Sequence, residues 1–484
     1  MPCDACAGTA KERLVSLGAV GRVHFVGIGG AGMSGIAELL VRDGYVVSGS
    51  DLVRSEATDR LAMLGATVRV GHGAQAVAGA DVVVASSAVA SDNTELVHAR
   101  ELGLPVVARA EVLNELMRYR HGIAVAGTHG KTTTASLIAS VLRAGGLDPS
   151  YVIGAPVCST PERKARANTA AGNAGLGRGR HFIAEADESD ASFLHLNPVI
   201  AVVTNIDRDH MDAYAQDFDR LLGAFAAFAD RLPFYGTLVV CADDPHAAAV
   251  PVRVDRAARR YGFDATADYR AVDLEAGEGS WRFTVLRPSG PDLSVSLPLP
   301  GRHNVQNALA AIAVAAEEGV ADEAIIAGLE QFGGVGRRFE TADCVVRGNR
   351  VTVVDDYGHH PTEVARVVDT VRQLWPDRRL VMAYQPHRYT RTRDLYDEFV
   401  AVLARVDRLL LLDVYAAGER SIEGADSRAL VCDVAARGNG RPWFAPGPSE
   451  ATEKLRAELA DGDIVMVQGA GDVSLVARAL KGEP

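Results

Sequence analysis

The 484-residue sequence predicts an α/β fold in which helices cover parallel strands on both faces. The first observation behind this prediction is a series of short, continuous runs of Val, Ile and Leu, which suit strands buried on both sides of a sheet. The second is that a Gly-rich or polar turn and then a helical stretch follow most of these runs, as in repeated strand–helix units. The third is the length, because at about 100–200 residues per domain the chain holds two to four domains.

The predicted strands lie along the whole chain. In order, they include Val23–Val26, Val82–Val84, Ile123–Ala126, Phe182–Ala184, Val199–Val203, Val351–Val354, Leu380–Ala383, Leu409–Leu412 and Ile464–Val467. A first domain ends before the strand that begins at Ile123, and a Gly-rich joint at Gly333–Gly336 separates a second domain from a third. We therefore predict domains at residues 1–118, 119–335 and 336–484. The basic, Gly- and Ala-rich stretch 161–180 is expected to be a surface loop.

The composition limits the classes of function. Hydrophobic residues make up 48% and charged residues 23% of the sequence, as in ordinary globular proteins rather than disordered chains. A net charge of -12 argues against binding to nucleic acid, and no apolar run approaches the roughly 18 residues of a membrane helix. The six Cys are scattered and the first residues do not have the pattern of an export signal, so we expect reduced thiols and a cytoplasmic location. The pair Cys3 and Cys6 lacks the second ligand pair of a zinc site and is expected to belong to a loose tail.

The turn after the first strand is a G-x-G-x-x-G motif, whose glycines would let a diphosphate approach the N-terminus of the next helix. The motif comprises Gly27, Ile28, Gly29, Gly30, Ala31 and Gly32. Asp51 follows Gly32 by 19 residues, near the spacing of an acid that binds the ribose of a dinucleotide. Taken alone, the motif indicates a nicotinamide dehydrogenase, although any ligand with a pyrophosphate has the same requirements. A cluster of turn glycines without a ligand is the remaining interpretation.

A phosphate-binding loop follows the strand Ile123–Ala126. The segment Gly127–Thr134 contains the G-K-T of such loops and leads into an amphipathic helix. Backbone N–H groups of the loop would cradle phosphate, Lys131 would reach the β and γ oxygens, and the hydroxyl of Thr132 would bind Mg²⁺. The loop is shorter than the common form, because Val125 stands where the first glycine belongs. A chance G-K-T at the start of a helix is the alternative.

Acidic side chains follow two further strands, at the edge where a phosphate-bound metal ion would need them. The segment Glu185–Asp190 follows one apolar strand, and Asp207, Asp209 and His210 follow the next. Carboxylates this close repel one another, so a metal ion is the favoured explanation and a solvated acidic face is the alternative. His210 is a candidate metal ligand, although a hydrogen-bonded loop histidine would give the same sequence.

These motifs and several later ones resemble those of the Mur ligases. The matching stretches, in the order in which the family has them, are GIGGAGMSGIAELL (27–40), GTHGKTTT (127–134), EADESDASFLHL (185–196), TNIDRDHMD (204–212), GRHNVQNA (301–308), GVGRRFE (334–340), DDYGHHPTE (355–363), QPHRYTRTRDL (385–395) and QGAGD (468–472). They span nearly the whole chain. One departure is Asp207 and Arg208, where the family would have Glu and Ala, but His210 is intact.

The resemblance implies three domains: a Rossmann-like N-terminal domain for a UDP-linked sugar, a central phosphate-loop ATPase domain with a sheet of mostly parallel strands, and a Rossmann-like C-terminal α/β domain for an amino acid. It implies an ADP-forming ligase of peptidoglycan synthesis that joins L-alanine to the lactyl carboxylate of UDP-N-acetylmuramate through an acyl phosphate. ATP and Mg²⁺ are the implied cofactors, and the chain would be a monomer or a homodimer. The glycine-rich turn would hold the diphosphate of UDP, and no nicotinamide is implied.

The resemblance also assigns roles to residues. The implied UDP-sugar site comprises Gly27, Gly29, Gly30, Ala31, Gly32, Asp51 and His129. The implied ATP site comprises Gly127, Thr128, Gly130, Lys131, Thr132, Thr133, Asn304, Asn307 and Arg338. The implied Mg²⁺ ligands are Thr132, Glu185 and His210. The implied amino-acid site comprises Tyr357, His359, Arg388 and Arg391, and the implied catalytic residues are Lys131, His210, Arg388 and Arg391.

Residue chemistry supports these roles, and each has a plainer alternative. The amides of Asn304 and Asn307 offer a donor and an acceptor to the edge of adenine, but an asparagine there would also suit a helix N-cap. The guanidinium groups of Arg388 and Arg391 suit a carboxylate or an acyl phosphate. Arg338, or its neighbour Arg337, would reach ATP when the domains close. Any of these arginines would also suit an ordinary surface ion pair.

Three other functions remain open from the sequence. A murein tripeptide ligase would use the same UDP sugar and have a similar layout, so an assay of L-alanine against the tripeptide distinguishes the two. An oxidoreductase would bind NAD through the segment from Gly27 to Asp51, and absence of NAD binding would exclude it. A noncatalytic nucleotide-dependent switch would keep the phosphate loop but would need no amine pocket.

Overall fold

In the computed structural model, residues 17–86, 88–156, 172–437 and 442–482 are described. They form three sheets that follow one another along the chain, each with helices packed against it. The predicted α/β fold with three domains is thereby confirmed. The domain boundaries given above stay a prediction. Cys3, Cys6 and positions 161–171 of the predicted surface loop lie outside the described residues.

The N-terminal domain is a five-stranded parallel sheet with the strand order β3-β2-β1-β4-β5. Its strands are β1 (Arg22–Val26), β2 (Val46–Asp51), β3 (Thr67–Val70), β4 (Val82–Ala85) and β5 (Val106–Ala108). Its helices are α1 (Ala31–Arg42), α2 (Glu56–Met63), α3 (Thr94–Glu101) and α4 (Arg109–Arg118). The strand order reverses between β1 and β4, so the glycine-rich turn after β1 lies at the switch point where such sheets bind ligands.

The central domain is a ten-stranded mixed sheet with the order β15-β14-β13-β12-β11-β10-β6-β9-β7-β8. Its strands are β6 (His121–Ala126), β7 (Ser150–Val152), β8 (Ala174–Gly175), β9 (His181–Glu185), β10 (Ile200–Val203), β11 (Thr237–Cys241), β12 (Ala257–Gly262), β13 (Tyr269–Ala276), β14 (Trp281–Leu286) and β15 (Leu293–Leu297). Its helices are α5 (Lys131–Ala144), α6 (Phe218–Ala229), α7 (Pro245–Ala249), α8 (Arg302–Glu317) and α9 (Asp322–Glu330). In the order of the sheet, all neighbouring strands from β13 across to β7 pair in parallel. The pairs at the two edges, β13–β14, β14–β15 and β7–β8, are antiparallel.

The C-terminal domain is a six-stranded sheet with the order β16-β17-β21-β18-β19-β20, in which only the β16–β17 pair is antiparallel. Its strands are β16 (Glu340–Val346), β17 (Asn349–Asp356), β18 (Leu380–Tyr384), β19 (Arg408–Leu412), β20 (Trp443–Ala445) and β21 (Ile464–Gln468). Its helices are α10 (Pro361–Leu374), α11 (Tyr389–Asp394), α12 (Tyr396–Leu403), α13 (Ser427–Ala436), α14 (Pro448–Glu458) and α15 (Ser474–Lys481).

The core of the central domain lies on both faces of its sheet. Along β6, Ala124 and Ala126 belong to one hydrophobic cluster and Ile123 and Val125 to another, and all four are fully buried. Successive side chains of a strand point to opposite faces, so a strand buried on both sides needs a continuous apolar run. The sequence argument for parallel strands under two helical layers is confirmed here. Among the described residues, no helix combines the length and the apolar character needed to cross a membrane.

The order β10-β6-β9 places three carboxyl ends side by side in the middle of the central sheet. The phosphate loop follows β6, the acidic segment Glu185–Asp190 includes the end of β9, and the segment from Thr204 to His210 follows β10. The groups that the sequence separates by tens of residues therefore meet at one edge, as expected for parallel neighbours.

Candidate active site

A cavity of about 570 Å³ lies where the three domains meet. The N-terminal domain contributes Gly32, Glu56 and Arg109 to its walls. Thirteen of the residues predicted to form the site line it: Gly32, Thr128, His129, Gly130, Lys131, Thr132, Glu185, His210, Arg338, Tyr357, His359, Arg388 and Arg391. We call this space the main cavity.

A second cavity, of about 70 Å³, shares four lining residues with the main cavity: His129, Gly130, Arg338 and Glu363. Its walls also include the predicted ATP residues Thr133, Asn304 and Asn307. We call it the side cavity. The other predicted glycines of the N-terminal turn, Gly27, Gly29 and Gly30, together with Asp51, line neither cavity, and the side chain of Ala31 lies outside the described residues.

The phosphate loop is a tight turn that only glycine permits at two points. Gly127 and Gly130 have φ angles of +129° and +82°, which disfavour residues with a Cβ. A Cβ at Gly127 would also overlap the hydroxyl of Thr204. The backbone N–H of His129 donates to the Asn205 side-chain oxygen at 2.9 Å, so residues after β10 hold the loop in place.

Lys131, at the first position of α5, folds back over the loop. Its Nζ donates to the carbonyl of Gly127 at 2.6 Å and to the carboxylate of Glu188 at 2.7 Å. Burial opposes the charge of Lys131, but the carboxylates of Glu188 and Asp187 outweigh it and raise the pKa of the lysine. Burial raises the pKa of Glu188 to about 7, against the opposing pull of Lys131. The ammonium group of Lys131 is thus paired with the carboxylate of Glu188.

The predicted metal ligands Thr132, Glu185 and His210 all face the main cavity. A hydroxyl, a carboxylate and a neutral imidazole form a donor set that fits a divalent cation. Burial, aided by Arg391, lowers the pKa of His210 to about 4 against the pull of Asp209, so its imidazole is neutral at physiological pH. One oxygen of Glu185 accepts the N–H of Gly154 at 2.6 Å, which orients the carboxylate.

Arg391 forms a buried, two-pronged ion pair across the boundary between the central and C-terminal domains. Its Nε and Nη2 donate to the two oxygens of Asp209 at 2.9 and 3.1 Å. Its Nη2 also lies 3.3 Å from Nε2 of His210. Burial opposes the charge on Asp209, but Arg391 outweighs it and holds the pKa of the carboxyl well below its usual range. Arg391 therefore orders the loop that carries the predicted metal ligand, and its prediction as an amino-acid-binding residue stays a prediction.

His129 lies between two carboxylates from different domains. Its Nε2 is 3.1 Å from Asp207 and its Nδ1 is 3.3 Å from Glu363 in α10. Burial opposes a charge on His129, but these two carboxylates outweigh it and raise its pKa. Both partners of the His129 ring lie outside the N-terminal domain. The role of His129 in binding the UDP sugar stays a prediction.

His129, Asp207 and His360 present ligand atoms within 4.8 Å of one another, as a cation site would. However, Nδ1 of His360 already accepts the N–H of Thr362 at 3.2 Å. The two ring nitrogens of His129 face carboxylates. Hydrogen bonds and ion pairs therefore account for this group.

Asn304 and Asn307 lie on the first turns of α8 rather than at its N-cap, which is Gly301. The side-chain amide of Asn307 donates to the Asn304 side-chain oxygen at 3.1 Å, and Asn304 donates to the Pro300 carbonyl at 2.7 Å. A Cβ at Gly130 would lie 2.8 Å from the Asn307 oxygen. The N-cap alternative for these asparagines is thus wrong, and Asn307 packs directly on the phosphate loop.

Most of the basic side chains around the main cavity already have a carboxylate partner. Lys131, Arg337, Arg388 and Arg391 pair with Glu188, Asp355, Glu419 and Asp209, and Arg109 and Arg478 pair with Asp187 and Glu56. Arg338 differs. Among the described residues it has no ion pair, its Nε is buried without a hydrogen-bond partner, and its guanidinium lies 5.0 Å from the centre of the Tyr357 ring. Arg338 is therefore the lining cation most available to an anionic ligand.

Three family models match successive parts of the chain. The Mur ligase family, catalytic domain matches residues 22–121, the Mur ligase middle domain matches residues 125–315, and the Mur ligase, glutamate ligase domain matches residues 337–471. The chain belongs to the Mur ligase family. It is therefore an ATP-dependent ligase of peptidoglycan precursor synthesis, as the resemblance predicted.

Solved structures are similar to this Mur ligase over most of its length. The UDP-N-acetylmuramate-alanine ligase MurC from Thermotoga maritima is 27% identical, with a TM-score of 0.79, over 95% of this chain and 98% of that chain. A murein peptide ligase from Psychrobacter arcticus is 24% identical, with a TM-score of 0.73, over 95% and 98%, which shows the fold alone. The UDP-N-acetylmuramate:L-alanyl-gamma-D-glutamyl-meso-diaminopimelate ligase from Neisseria meningitides is 29% identical, with a TM-score of 0.58, over 66% of this chain and 100% of that chain.

Sequence reasoning assigned no role to several residues of the candidate site, among them Arg109 and Glu363. Arg109 donates to Asp187 at 3.0 Å, and a Cβ at Gly32 would overlap its guanidinium. Its signal in the sequence was a basic residue directly after a strand of the N-terminal sheet. Glu363 pairs with His129, a contact between residues more than 200 positions apart that no local pattern announces.

Proposed function

We propose that this Mur ligase uses ATP to activate the lactyl carboxylate of UDP-N-acetylmuramate and joins it to L-alanine. The observation that carries the proposal is the main cavity, which brings the phosphate loop, the carboxylates after β9 and the basic residues of the C-terminal domain together. Phosphoryl transfer to an anion needs cations around the transferred group. The likeness to the Thermotoga maritima alanine ligase over 95% of this chain supports the choice of substrates.

In the proposed first step, an oxygen of the lactyl carboxylate attacks the γ-phosphorus of ATP, and the bond to ADP breaks to leave an acyl phosphate. Lys131 would exchange the Glu188 carboxylate for the β and γ oxygens of ATP, because both are anionic acceptors for the same ammonium. Arg338, which lines both cavities, would neutralise the nucleotide from the C-terminal side. Mg²⁺ held by Thr132, Glu185 and His210 would supply further neutralisation of the phosphates.

In the proposed second step, the neutral amine of L-alanine attacks the acyl carbon, and the tetrahedral intermediate loses a proton from nitrogen to solvent and releases phosphate to leave the amide. Arg388 would bind the carboxylate of the amino acid, with Tyr357 and His359 around its side chain. The guanidinium of Arg391 is taken up by Asp209, but its Nη1 lies beside His387 at the cavity wall, where it would add positive charge to the carboxylate site.

The UDP-linked sugar would lie between the N-terminal turn and the phosphate loop. The N–H of Gly29 donates to Asp51 at 2.8 Å, so Asp51 would shape the turn that faces the diphosphate. Gly27, Gly30, Ala31 and Gly32 would let the diphosphate approach the N-terminus of α1. The cytoplasmic location and the monomeric or homodimeric state stay predictions from the sequence.

A phosphate-release assay tests the proposal. Phosphate release with ATP, Mg²⁺ and UDP-N-acetylmuramate should depend on L-alanine. A second candidate is a murein tripeptide ligase, favoured by the 29% identity to the Neisseria meningitides enzyme over 66% of this chain. Phosphate release that responds to L-alanyl-γ-D-glutamyl-meso-diaminopimelate and not to L-alanine would establish that candidate instead.

Lys131→Ala tests the role of the phosphate loop. Because the lysine would stabilise charge in the transition state, kcat for phosphate release should fall by about 10²–10³-fold. The matched control is Lys454→Ala, which removes a lysine that pairs with Glu450 in α14 and should leave kcat unchanged. A Lys131→Ala rate within a few-fold of the parent rate would contradict the assigned role.

A further inference from the structure

One carboxylate, that of Glu363, contacts two functional loops at once. Its Oε1 lies 3.3 Å from Nδ1 of His129, in the phosphate loop. Its Oε2 accepts the backbone N–H groups of His359 at 2.8 Å and of His360 at 3.2 Å. The carboxylate thus joins the phosphate loop of the central domain to the loop between β17 and α10, which carries Tyr357 and His359. We call this second loop the amine loop.

On the central side, His129 cannot shift without moving the phosphate loop. Its backbone carbonyl accepts the hydroxyl of Thr204 at 2.6 Å, and its N–H donates to Asn205 at 2.9 Å. Its ring is buried, with Asp207 on the side opposite Glu363. A ligand that displaces the phosphate loop by a fraction of an ångström therefore changes the His129–Glu363 distance.

On the C-terminal side, Glu363 shapes the backbone of the amine loop. His359 is held at its N–H by Glu363 and at its carbonyl by the hydroxyl of Tyr384 at 3.0 Å. Its side chain lines the main cavity together with Tyr357. A change at the Glu363 carboxylate is thus passed to the residues expected to surround the amino acid.

The two members of the contact shift each other's pKa. Burial disfavours the Glu363 carboxylate, but His129 outweighs it and holds the pKa of Glu363 well below its usual range. Burial opposes a charge on His129, but Asp207 and Glu363 together outweigh it and raise the pKa of the histidine. A charged pair out of water is sensitive to small changes in separation, because the surroundings screen it weakly.

We infer that Glu363 is a positioning residue that couples nucleotide binding at the phosphate loop to the order of the amine loop. The inference rests on the proposed function, since it takes the amine loop as the amino-acid site. Nucleotide at the phosphate loop would fix His129, His129 would fix the Glu363 carboxylate, and the carboxylate would fix the backbone of His359. Two sites that share one such element change each other's affinity.

A purely local role for Glu363 is the competing explanation. Glu363 is the third residue of α10 and forms a capping box with the N-cap residue His360. Such a box stabilises the start of a helix and needs no contact with another domain. Glu111 does this in α4, where it accepts the N–H of Ala108 at 2.8 Å. It is therefore a matched control, a capping glutamate that touches neither loop.

The test compares Glu363→Gln with Glu111→Gln. Glutamine keeps an oxygen that accepts the backbone N–H groups but loses the charge that faces His129. In the parent, the thermal shift caused by the accepted amine should be larger with Mg²⁺, AMP-PNP and UDP-N-acetylmuramate present than without them. In Glu363→Gln this difference should disappear and KM for the amine should rise about tenfold, a typical size for coupling between sites. Glu111→Gln should behave like the parent in both measurements.

His129→Gln and the double variant complete the cycle. If His129 and Glu363 act through one contact, the double variant should raise KM for the amine no more than either single variant. The inference would be overturned in favour of a capping role if Glu363→Gln had a lower melting temperature but kept the nucleotide-dependent difference in the thermal shift caused by the amine. Failure of the proposed function looks different, since the parent itself would then show no L-alanine-dependent phosphate release.

Discussion

At the scale of single residues, burial shifts the pKa of two groups of the candidate site, His210 and Glu188, away from their usual values. It lowers the pKa of His210 to about 4, so the imidazole keeps its lone pair for a metal ion. It raises the pKa of Glu188 to about 7, which brings the partner of Lys131 close to protonation at neutral pH. Lys131 and Thr132 were predictable because their motif is local. The ion pair between Lys131 and Glu188 was not predictable, since the two residues lie 57 positions apart.

His303, in a wall of the side cavity, gives a prediction for stability against pH. Burial, and then Arg366, lower its pKa to about 3. The unfolded chain binds a proton at this histidine below about pH 6.5, whereas the folded chain does not. Above this pH, His303 therefore does not reduce the free energy of unfolding. As the pH falls from there toward 3, His303 reduces the free energy of unfolding by a growing amount.

His303→Asn removes this reduction. Between pH 7 and pH 5 the parent should lose about 1–2 kcal/mol more of its free energy of unfolding than the variant does. Urea denaturation at the two pH values measures the difference. Equal losses in the parent and in His303→Asn would show that His303 binds its proton equally well in the folded and unfolded states.

At the scale of elements, continuous apolar runs predicted many of the parallel strands but not all of them. The parallel strands β2, β3, β5, β11, β12 and β20 were not predicted. All nine predicted runs coincide with observed strands, with Val199–Val203 beginning one residue before β10. The strands β13, β14 and β15 were not predicted. The pairs β13–β14 and β14–β15 are antiparallel, and these strands alternate buried with more exposed residues, as in Trp281–Leu286, so they lack a continuous apolar run.

Gly127→Ala tests the shape of the phosphate loop. The added Cβ would overlap the Thr204 hydroxyl in a backbone conformation that alanine disfavours, so the free energy of unfolding should fall by about 1–3 kcal/mol. The affinity for Mg²⁺ and AMP-PNP should fall with it. Gly146→Ala is the matched control, because Gly146 also has a positive φ of +75° but has nothing within 4 Å of its Cβ position. Equal nucleotide affinity in the two variants would contradict the steric argument.

At the scale of the whole molecule, charged contacts between domains close the main cavity. Arg109 reaches Asp187 from the N-terminal domain, Arg391 reaches Asp209 from the C-terminal domain, and Arg478 pairs with Glu56 at 2.7 Å between the two outer domains. None of these pairs was predictable from the sequence, because each joins residues of two different domains and depends on how those domains pack together. Closure of this kind would keep water from a reactive acyl phosphate.

Asp209→Asn tests the closed arrangement. Removing one partner of a buried ion pair leaves Arg391 uncompensated and should weaken docking of the C-terminal domain by about 3 kcal/mol. Small-angle scattering should then show a larger radius of gyration than in the parent, and kcat should fall. The control is Asp322→Asn, which breaks a similar two-pronged pair with Arg287 inside the central domain. An unchanged radius of gyration for Asp209→Asn would show that the domains dock without this pair.

The pairing of Lys131 with Glu188 has a consequence for selectivity. The ammonium group is already satisfied, so a visiting anion gains only the difference between its own attraction and that of the resident carboxylate. A lone phosphate or sulfate ion offers little more than Glu188 does, whereas a triphosphate also meets the loop amides and the metal. We therefore expect the phosphate loop to bind ATP in preference to small anions such as phosphate and sulfate.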